Sequence, residues 1–270
     1  MRDRIEYKTR DQMRVMAQAG VIVERALAAA RSAASPGVKT RDIESAAAAV
    51  IADAGATSNF LGYHGFPATA CVSVNDEVVH GIPGDRIIMD GDVVSVDCGA
   101  IVDGWHGDSA LTFIVGDPRS DADVQLVEHT RRSLWAGIAA LATASRLDEV
   151  AAAIEGVTVD AGLHPLLGYV GHGIGTAMHQ APDVMNYRTR GRAARVKPGL
   201  CVAIEPMLVQ GTSDSTVLED DWTVVSADGS RGAHWEHSIA VHDGGIWVLT
   251  ASDGGRAGLA PFGIEPAPLV

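Results

Sequence analysis

The chain has 270 residues and a formal net charge of −13, which argues against bulk binding of nucleic acid or an anionic membrane and favours solubility. Hydrophobic residues make up 47% and aromatics 5%, a globular composition long enough for one large domain or two ordinary ones. The three cysteines, Cys71, Cys98 and Cys201, are odd in number and lie in apolar surroundings, so a reducing cytoplasm is expected rather than a disulfide framework. The opening MRDRIEYKTR has no signal-peptide h-region, and apolar runs break well short of ~20 residues, so neither secretion nor a membrane span is expected.

In chain order, Thr9-Arg10-Asp11-Gln12 fits a capping box and predicts a helix through Met13, Met16, Ala17 and Gly20 to about Ser32, stopped by Ser-Pro-Gly at 35–37. A second helix is expected after Thr40, ending at Gly55. Residues 56–70 mix Gly, Pro, Tyr, His and Phe and read as irregular, with exposed aromatics. After a short strand at 70–74 and the loop NDEVVHGIPGD comes VVSVDCGAIVDGWHGDSALTFIV, residues 93–115. Its apolar runs 93–96 and 110–115 read as strands joined by a Gly-rich connection, with Asp97 and Asp108 facing each other across the hairpin. Ser120 then caps a helix to about Ser145, and another runs from Leu147 to Gly162. GYVGHGIGTAMH, a polar loop, a strand at 200–204, Glu205-Pro206 and a last pair of strands ending near Thr250 follow. Residues 251–270, rich in Gly, Ala and Pro, read as a tail or an extended edge segment.

The pattern is used twice. Gly91 precedes Asp97 by six residues, as Gly199 precedes Glu205. A second carboxylate opens another apolar strand in each half, Asp108 and Glu236, and a His in a Gly-rich loop precedes each set, His80 and His172. Each half begins with two helices, so pseudo-repeats of about 9–118 and 119–250 form a single domain over 1–250. A pseudo-dyad would bring four strand-borne carboxylates together. At ~4 Å and an effective dielectric of ~20, each like-charge pair costs about 4 kcal/mol, and no Lys or Arg is near any of the four in sequence. Divalent cations are the economical remedy. Carboxylates with imidazole and no thiolate at ligand spacing suit Mn, Fe, Co or Zn.

The ordered set His80, Asp97, Asp108, His172, His179, Glu205 and Glu236 resembles the metal and catalytic set of type I methionine aminopeptidase, over about residues 5–250. The local signatures are GYHGFP at 62–67, HGIPG at 80–84, VDCG at 96–99, GHGIG at 171–175, EP at 205–206, DDWTVV at 220–225 and WEH at 235–237. The resemblance implies an α+β fold, the duplicated pita-bread arrangement, with a central curved antiparallel sheet covered by two pairs of helices. It implies a metal-dependent hydrolase, an aminopeptidase that removes the N-terminal methionine from nascent chains, prefers a small second residue and uses two divalent metal ions per chain. Asp97, Asp108, His172, Glu205 and Glu236 would bind the metals, with Asp108 and Glu236 bridging. His80 would contact the substrate near the scissile amide, and His179 would stabilise the gem-diolate. Glu205 would also carry the proton from water to the departing amine. Phe60, Tyr63, Phe66, Cys71, Met178 and Trp222 would line the methionine slot, where aromatic and sulfur contacts suit a thioether. A monomer is implied.

This chain departs from the family pattern at Met178, where Phe is common, at Gln180, where Glu is common, and at His234, where Gln is usual. Phe60 and Phe66 stand where Cys and Tyr are frequent. His234 is close enough in sequence to Glu236 to alter the surroundings of the metals or the preferred ion. Taken singly, His80 reads as a loop residue and Trp222 as core, while His64, His106, His129, His164, His237 and His242 read as structural or solvated. The basic run RTRGRAARVK at 188–197 reads first as a solvated loop and second as a transient ribosome contact. The competing functions are an Xaa-Pro aminopeptidase or dipeptidase of the same fold, whose usual large N-terminal domain is not expected before Thr9, a low-activity divergent paralogue, and a non-catalytic binding module, which would be expected to have lost ligands.

Overall fold

The computed structural model describes residues 4–269. Helix α1 (Arg10–Ala33) begins where the capping box places it: Thr9 Oγ1 accepts the Gln12 N–H at 3.3 Å, and Gln12 Oε1 accepts the Thr9 N–H at 2.8 Å. Helix α2 (Thr40–Asp53) starts one residue earlier than expected, because the Asp42 carboxylate accepts the Lys39 N–H at 3.0 Å and makes Lys39 the cap. Helix α3 (Asp121–Leu141) is capped by Ser120, whose Oγ accepts the Asp123 N–H at 3.2 Å. It stops short of Ser145 because residues 145–147 pair with the basic run instead: Val196 N–H donates to Ser145 O at 3.0 Å and Leu147 N–H to Ala194 O at 3.1 Å. Helix α4 (Leu147–Asp160) follows.

The hairpin strands are longer than the sequence indicated. Val93–Val102 pairs with Trp105–Ile114 in a continuous antiparallel register, turning at Asp103-Gly104, so the Gly-rich stretch between the aspartates is strand rather than connection. Ala70–Val74 adds on the far side of Val93–Val102. The second half gives the same series, Gly171–Gly173, Cys201–Ile204 and His237–His242, with Gly245–Val248 and Gln180–Val184 at the edges. The two sheets meet where Ala110 pairs with Glu236. Glu236 N–H donates to Ala110 O at 2.9 Å, Ala110 N–H to Glu236 O at 3.3 Å, and Asp108 N–H to Ser238 Oγ at 3.1 Å.

Strand alternation sorts the side chains. Val94, Val96, Cys98 and Ala100 pack with Val23, Leu27, Ala30, Ile43 and Ile51 of α1 and α2. Val202, Ile204, Ile239 and Val241 pack with Leu134, Ile138, Leu147, Val150 and Ile154 of α3 and α4. Among the intervening positions, Cys201 and Ala240 pack with Met13 and Met16 of α1, while Asp97, Asp108, Glu205 and Glu236 gather near the junction of the two sheets. Short strands cover the rim there. Glu77–Val79 pairs with Val224–Ser226, and Met207–Val209 with Gly232–His234; at three residues each they carry too little periodicity to read in advance.

Residues 251–269 do not hang free, contrary to the expectation of a tail. A short helix, α5 (Arg256–Leu259), buries Leu259 in the α3/α4 core, and Leu269 packs with Met13 and Met16 of α1. Backbone bonds to the Gly245–Val248 edge strand, Ala267 N–H to Ile246 O at 2.9 Å and Val248 N–H to Gly254 O at 3.1 Å, match the edge-segment expectation in part. The anchors are single apolar residues, invisible amid Gly, Ala and Pro. Among the described residues no helix is long and apolar enough to cross a membrane.

Helix α1 lies on the sheet at a glycine contact. A Cβ on Gly20 would stand 2.1 Å from Leu249 O, and one on Gly107 would stand 2.8 Å from Gly20 N. Gly20→Ala, which raises helix propensity, should nonetheless lower stability by about 1–3 kcal/mol in urea unfolding, because backbone must move to admit the methyl. An unchanged or higher midpoint would contradict this packing.

Candidate active site

The hairpin aspartates are not directly opposite each other. Asp97 pairs with Ala110 and Asp108 with Gly99, so they are diagonal neighbours on one face. The junction of the two sheets brings Glu236 beside Asp108, and Glu205 follows the Cys201–Ile204 strand on the same face. His172, from Gly171–Gly173, points at this group with Nε2 3.3 Å from Glu205 Oε1, while its Nδ1 lies 3.1 Å from Gly173 O. Asp108, His172 and Glu236 offer ligand atoms within 4.8 Å of one another, and Glu205, His234 and Glu236 do the same. Glu236 belongs to both groupings. Asp97 belongs to neither, although its Oδ1 is buried at the same site.

Desolvation dominates the electrostatics. The carboxyls of Asp97, Glu205 and Glu236 are pushed well above the usual range, first by burial and then by Asp108 and by one another. Burial raises Asp108 to about 7 against the pull of the Ser109 N–H. Burial also lowers the imidazoles, His172 to about 3 with His179 as second cause, and His234 to about 3 with His80 as second cause. The neighbouring thiol of Cys71 is pushed well up by burial and by Asp97, so it stays protonated and is no thiolate ligand. Oδ1 of Asp97 and of Asp108, Oε1 of Glu236 and Nε2 of His234 are buried without a hydrogen-bond partner among the described residues. Lone pairs thus converge here without donors. Such a set is satisfied by protons or by cations, and its oxygen and neutral imidazole donors fit divalent Mn, Fe, Co or Zn.

Beside the carboxylates is an apolar slot. Phe60, Phe66, Cys71 and Met178 form a buried cluster flanked by Tyr63, Ile82 and Trp222. Phe66 meets Trp222 edge-on at 5.1 Å between centroids and Phe60 at 6.3 Å. One cavity of about 130 Å³ is lined by Phe60, Tyr63, Phe66, Cys71, His80, Asp97, Asp108, His172, Met178, His179, Glu205, Trp222 and Glu236. Every residue singled out from the sequence for metal, catalysis or pocket therefore reaches the same space. That volume is well below the ~300–1,000 Å³ of drug-sized sites and suits one side chain. His172 and His179 also border a wide cleft of about 990 Å³, lined further by Arg146, Pro182, Arg192 and Arg195. The cleft is larger, but the buried ionisable groups are in the small cavity.

The histidines are held individually. His80 adopts a left-handed φ of 60°, uncommon for a residue with a Cβ, and its ring meets Trp222 and Tyr169 edge-on at 6.2 and 5.9 Å. His179 Nδ1 lies 2.7 Å from Tyr63 Oη, which leaves Nε2 free for other contacts. Gln180, one of the departures, has a use: its Nε2 donates to Glu6 at 2.9 Å and its Oε1 accepts from Lys8 Nζ at 3.2 Å. Glu6 also accepts from Thr176 N–H at 3.1 Å and Thr176 O–H at 2.7 Å, so the N-terminal segment fastens both ends of the turn carrying His179. Burial opposes the Glu6 charge, but these hydrogen bonds prevail and hold its carboxyl down to about 2.

Sequence reasoning missed the partner of Tyr63 beyond the slot wall and did not single out Tyr169. It placed His234 only near the metals. The His-for-Gln exchange was a visible signal for His234, whereas Tyr169 carried none. In the basic run, Arg188 pairs with Glu155 at 2.6 Å and Ala193 O accepts from Arg146 at 2.7 Å, so part of it is tied to α4 and its cap.

Raised folded-state carboxyl pKa values carry a defined stability sign. The folded state binds more protons than the unfolded one, so this contribution is present at low pH and lost as pH rises; for Asp108 the loss spans about 4 to about 7. Chelator-treated protein should show a Tm that falls between about pH 5 and pH 8, and Asp108→Asn should flatten that fall. A chelator-treated Tm that rises across this range, equally in both proteins, would contradict a floor dominated by desolvated carboxyls.

Comparisons with known proteins place the chain in a family. The metallopeptidase family M24 matches residues 14–243. Methionine aminopeptidase 1 of Mycobacterium tuberculosis is 49% identical over 253 residues, covering 91% of this chain and 95% of its own. The crystal structure of a methionine aminopeptidase from Thermotoga maritima superimposes with a TM-score of 0.89 at 37% identity, covering 92% of this chain and all of that one. The prolidase of Pyrococcus furiosus shares the fold at a TM-score of 0.74 and 19% identity, over 91% of this chain and 65% of that one. On family match, identity and coverage together, the chain belongs to metallopeptidase family M24, among its type I methionine aminopeptidases.

Proposed function

We propose that this chain removes the N-terminal methionine from nascent proteins and peptides in the cytoplasm, preferring a small second residue and using two divalent metals. The observation that carries the reading is the contact between two unlike environments in one small cavity: a slot of Phe60, Phe66, Cys71, Met178 and Trp222, and a buried carboxylate–imidazole cluster at its floor. An unbranched thioether suits the slot, where rings present edges to sulfur.

Asp97, Asp108, His172, Glu205 and Glu236 would hold the metals, which when bound supply a water activated near neutral pH and a Lewis acid for the scissile carbonyl. The remaining steps belong to side chains. Glu205 takes the water proton and returns it to the leaving amine. His179, oriented by the Tyr63 hydroxyl, directs Nε2 at the carbonyl oxygen as charge develops there. His80, kept neutral as burial lowers its pKa to about 4, contacts the amide beyond the methionine. The Tyr63, His64 and His179 rings crowd the mouth, with centroids 4.4 Å apart for Tyr63–His64 and 5.3 Å for Tyr63–His179, which supports a small second residue. The wide cleft beyond His179 leaves room for the rest of the peptide.

Incubation with Met-Ala-Ser and Ala-Pro peptides in the presence of Mn or Co tests the assignment. Release of Met from the first, with the second left intact, is expected. Cleavage of Ala-Pro alone, or no cleavage with metal bound, would overturn it. Glu205→Gln should lower kcat by about 10²–10⁴ through loss of the proton carrier. Tyr63→Phe should lower kcat by about tenfold with KM little changed, the effect of one orienting hydrogen bond of roughly 1.4 kcal/mol. A change confined to KM would assign Tyr63 to the slot wall alone.

A further inference from the structure

The centre contains one imidazole to which the resemblance gives no role. His234 ends the Gly232–His234 strand and pairs with Met207, two residues beyond Glu205, while Glu236 follows it by two along the chain. Its backbone is fixed: the N–H donates to Thr112 Oγ1 at 2.9 Å, and the Thr112 hydroxyl donates to its carbonyl at 2.7 Å. Only 2% of the residue is exposed. Its Nε2 has no hydrogen-bond partner among the described residues and stands 3.7 Å from Glu205 Oε2 and 3.8 Å from Glu236 Oε2. Those separations are too long for hydrogen bonds, whose N···O distances run to ~3.2 Å. They suit donors arranged around one ion with bonds of ~2.0–2.2 Å. The three ligand atoms lie within 4.8 Å of one another.

We propose that His234 Nε2 is a direct ligand of the ion held by Glu205 and Glu236, a second imidazole in the centre beside His172. The proposal rests on the reading that the cluster holds divalent metal. A merely structural His234 would spend Nε2 on a hydrogen bond, and among the described residues it has no partner, with Glu205 and Glu236 oxygens beyond that reach. A glutamine at this position offers only an amide, a poor donor to a transition metal. An added imidazole moves the site away from oxygen-preferring Mg and Mn and toward Fe, Co and Zn.

Proton NMR of the Co(II)-loaded protein tests this without reference to turnover, because each ligating imidazole carries an exchangeable N–H strongly shifted by the metal. Two such resonances are expected in the parent and one in His234→Gln. A single resonance in the parent, with Co(II) bound, would overturn the proposal and leave the metal-centre reading standing, whether or not the variant folds. No Co(II) binding by the parent would remove both. In competition titrations, His234→Gln should reduce the preference for Co(II) over Mn(II) by about tenfold or more. Equal preference in the two proteins would also overturn the proposal.

Discussion

The seam between the two sheets is the constraint on which the rest depends. Where Ala110 pairs with Glu236 and Asp108 bonds to Ser238, two carboxylates are brought side by side at the junction of the two sheets. The hydrophobic cores drive this arrangement. Each strand commits its apolar residues to a helix pair, and its alternate residues are then sent to the other face whatever their charge. Four desolvated carboxyls and two neutral imidazoles are the result. The fold tolerates that burial because the cluster is paired with something positive or remains protonated, and the divalent-metal reading uses the same tension for catalysis.

The apolar slot depends on the seam more indirectly. Cys71 pairs with Asp97 across adjacent strands, so the slot wall and the carboxylate floor share a hydrogen-bonded ladder. Phe60 and Phe66 come from the loop before that strand, and Trp222 from the rim, where Asp220 accepts the Trp222 N–H at 2.9 Å and the Thr223 N–H at 2.8 Å. Glu6 and Lys8 fasten the His179 turn from a third direction. A substrate side chain in this space would therefore be gripped by segments distant in sequence and tied together only by the folded state.

Much of this was legible in the sequence because it rests on periodicity and order. The capping box at Thr9, the Ser120 cap and the doubled Gly-to-carboxylate spacing are local features, and the resemblance supplied the cavity residues. What escaped depends on non-local geometry. The strands around Asp97 and Asp108 run through their glycines because pairing continues across them, which alternation of apolar residues alone did not reveal. The rim strands are held by partners distant in sequence, and residues 251–269 by isolated Leu259 and Leu269. The Tyr63–His179 contact joins residues more than a hundred positions apart, and His234 comes into range of Glu205 only through the Met207 pairing.

Anomalous diffraction from crystals soaked in Mn(II) or Co(II) tests the metal-binding floor most directly. Two peaks are expected at the base of the methionine slot, within reach of the side chains that would hold the ions, Asp97, Asp108, His172, Glu205 and Glu236. Peaks only elsewhere on the molecule, with the four carboxyls retaining their protons around an ion-free floor, would contradict it.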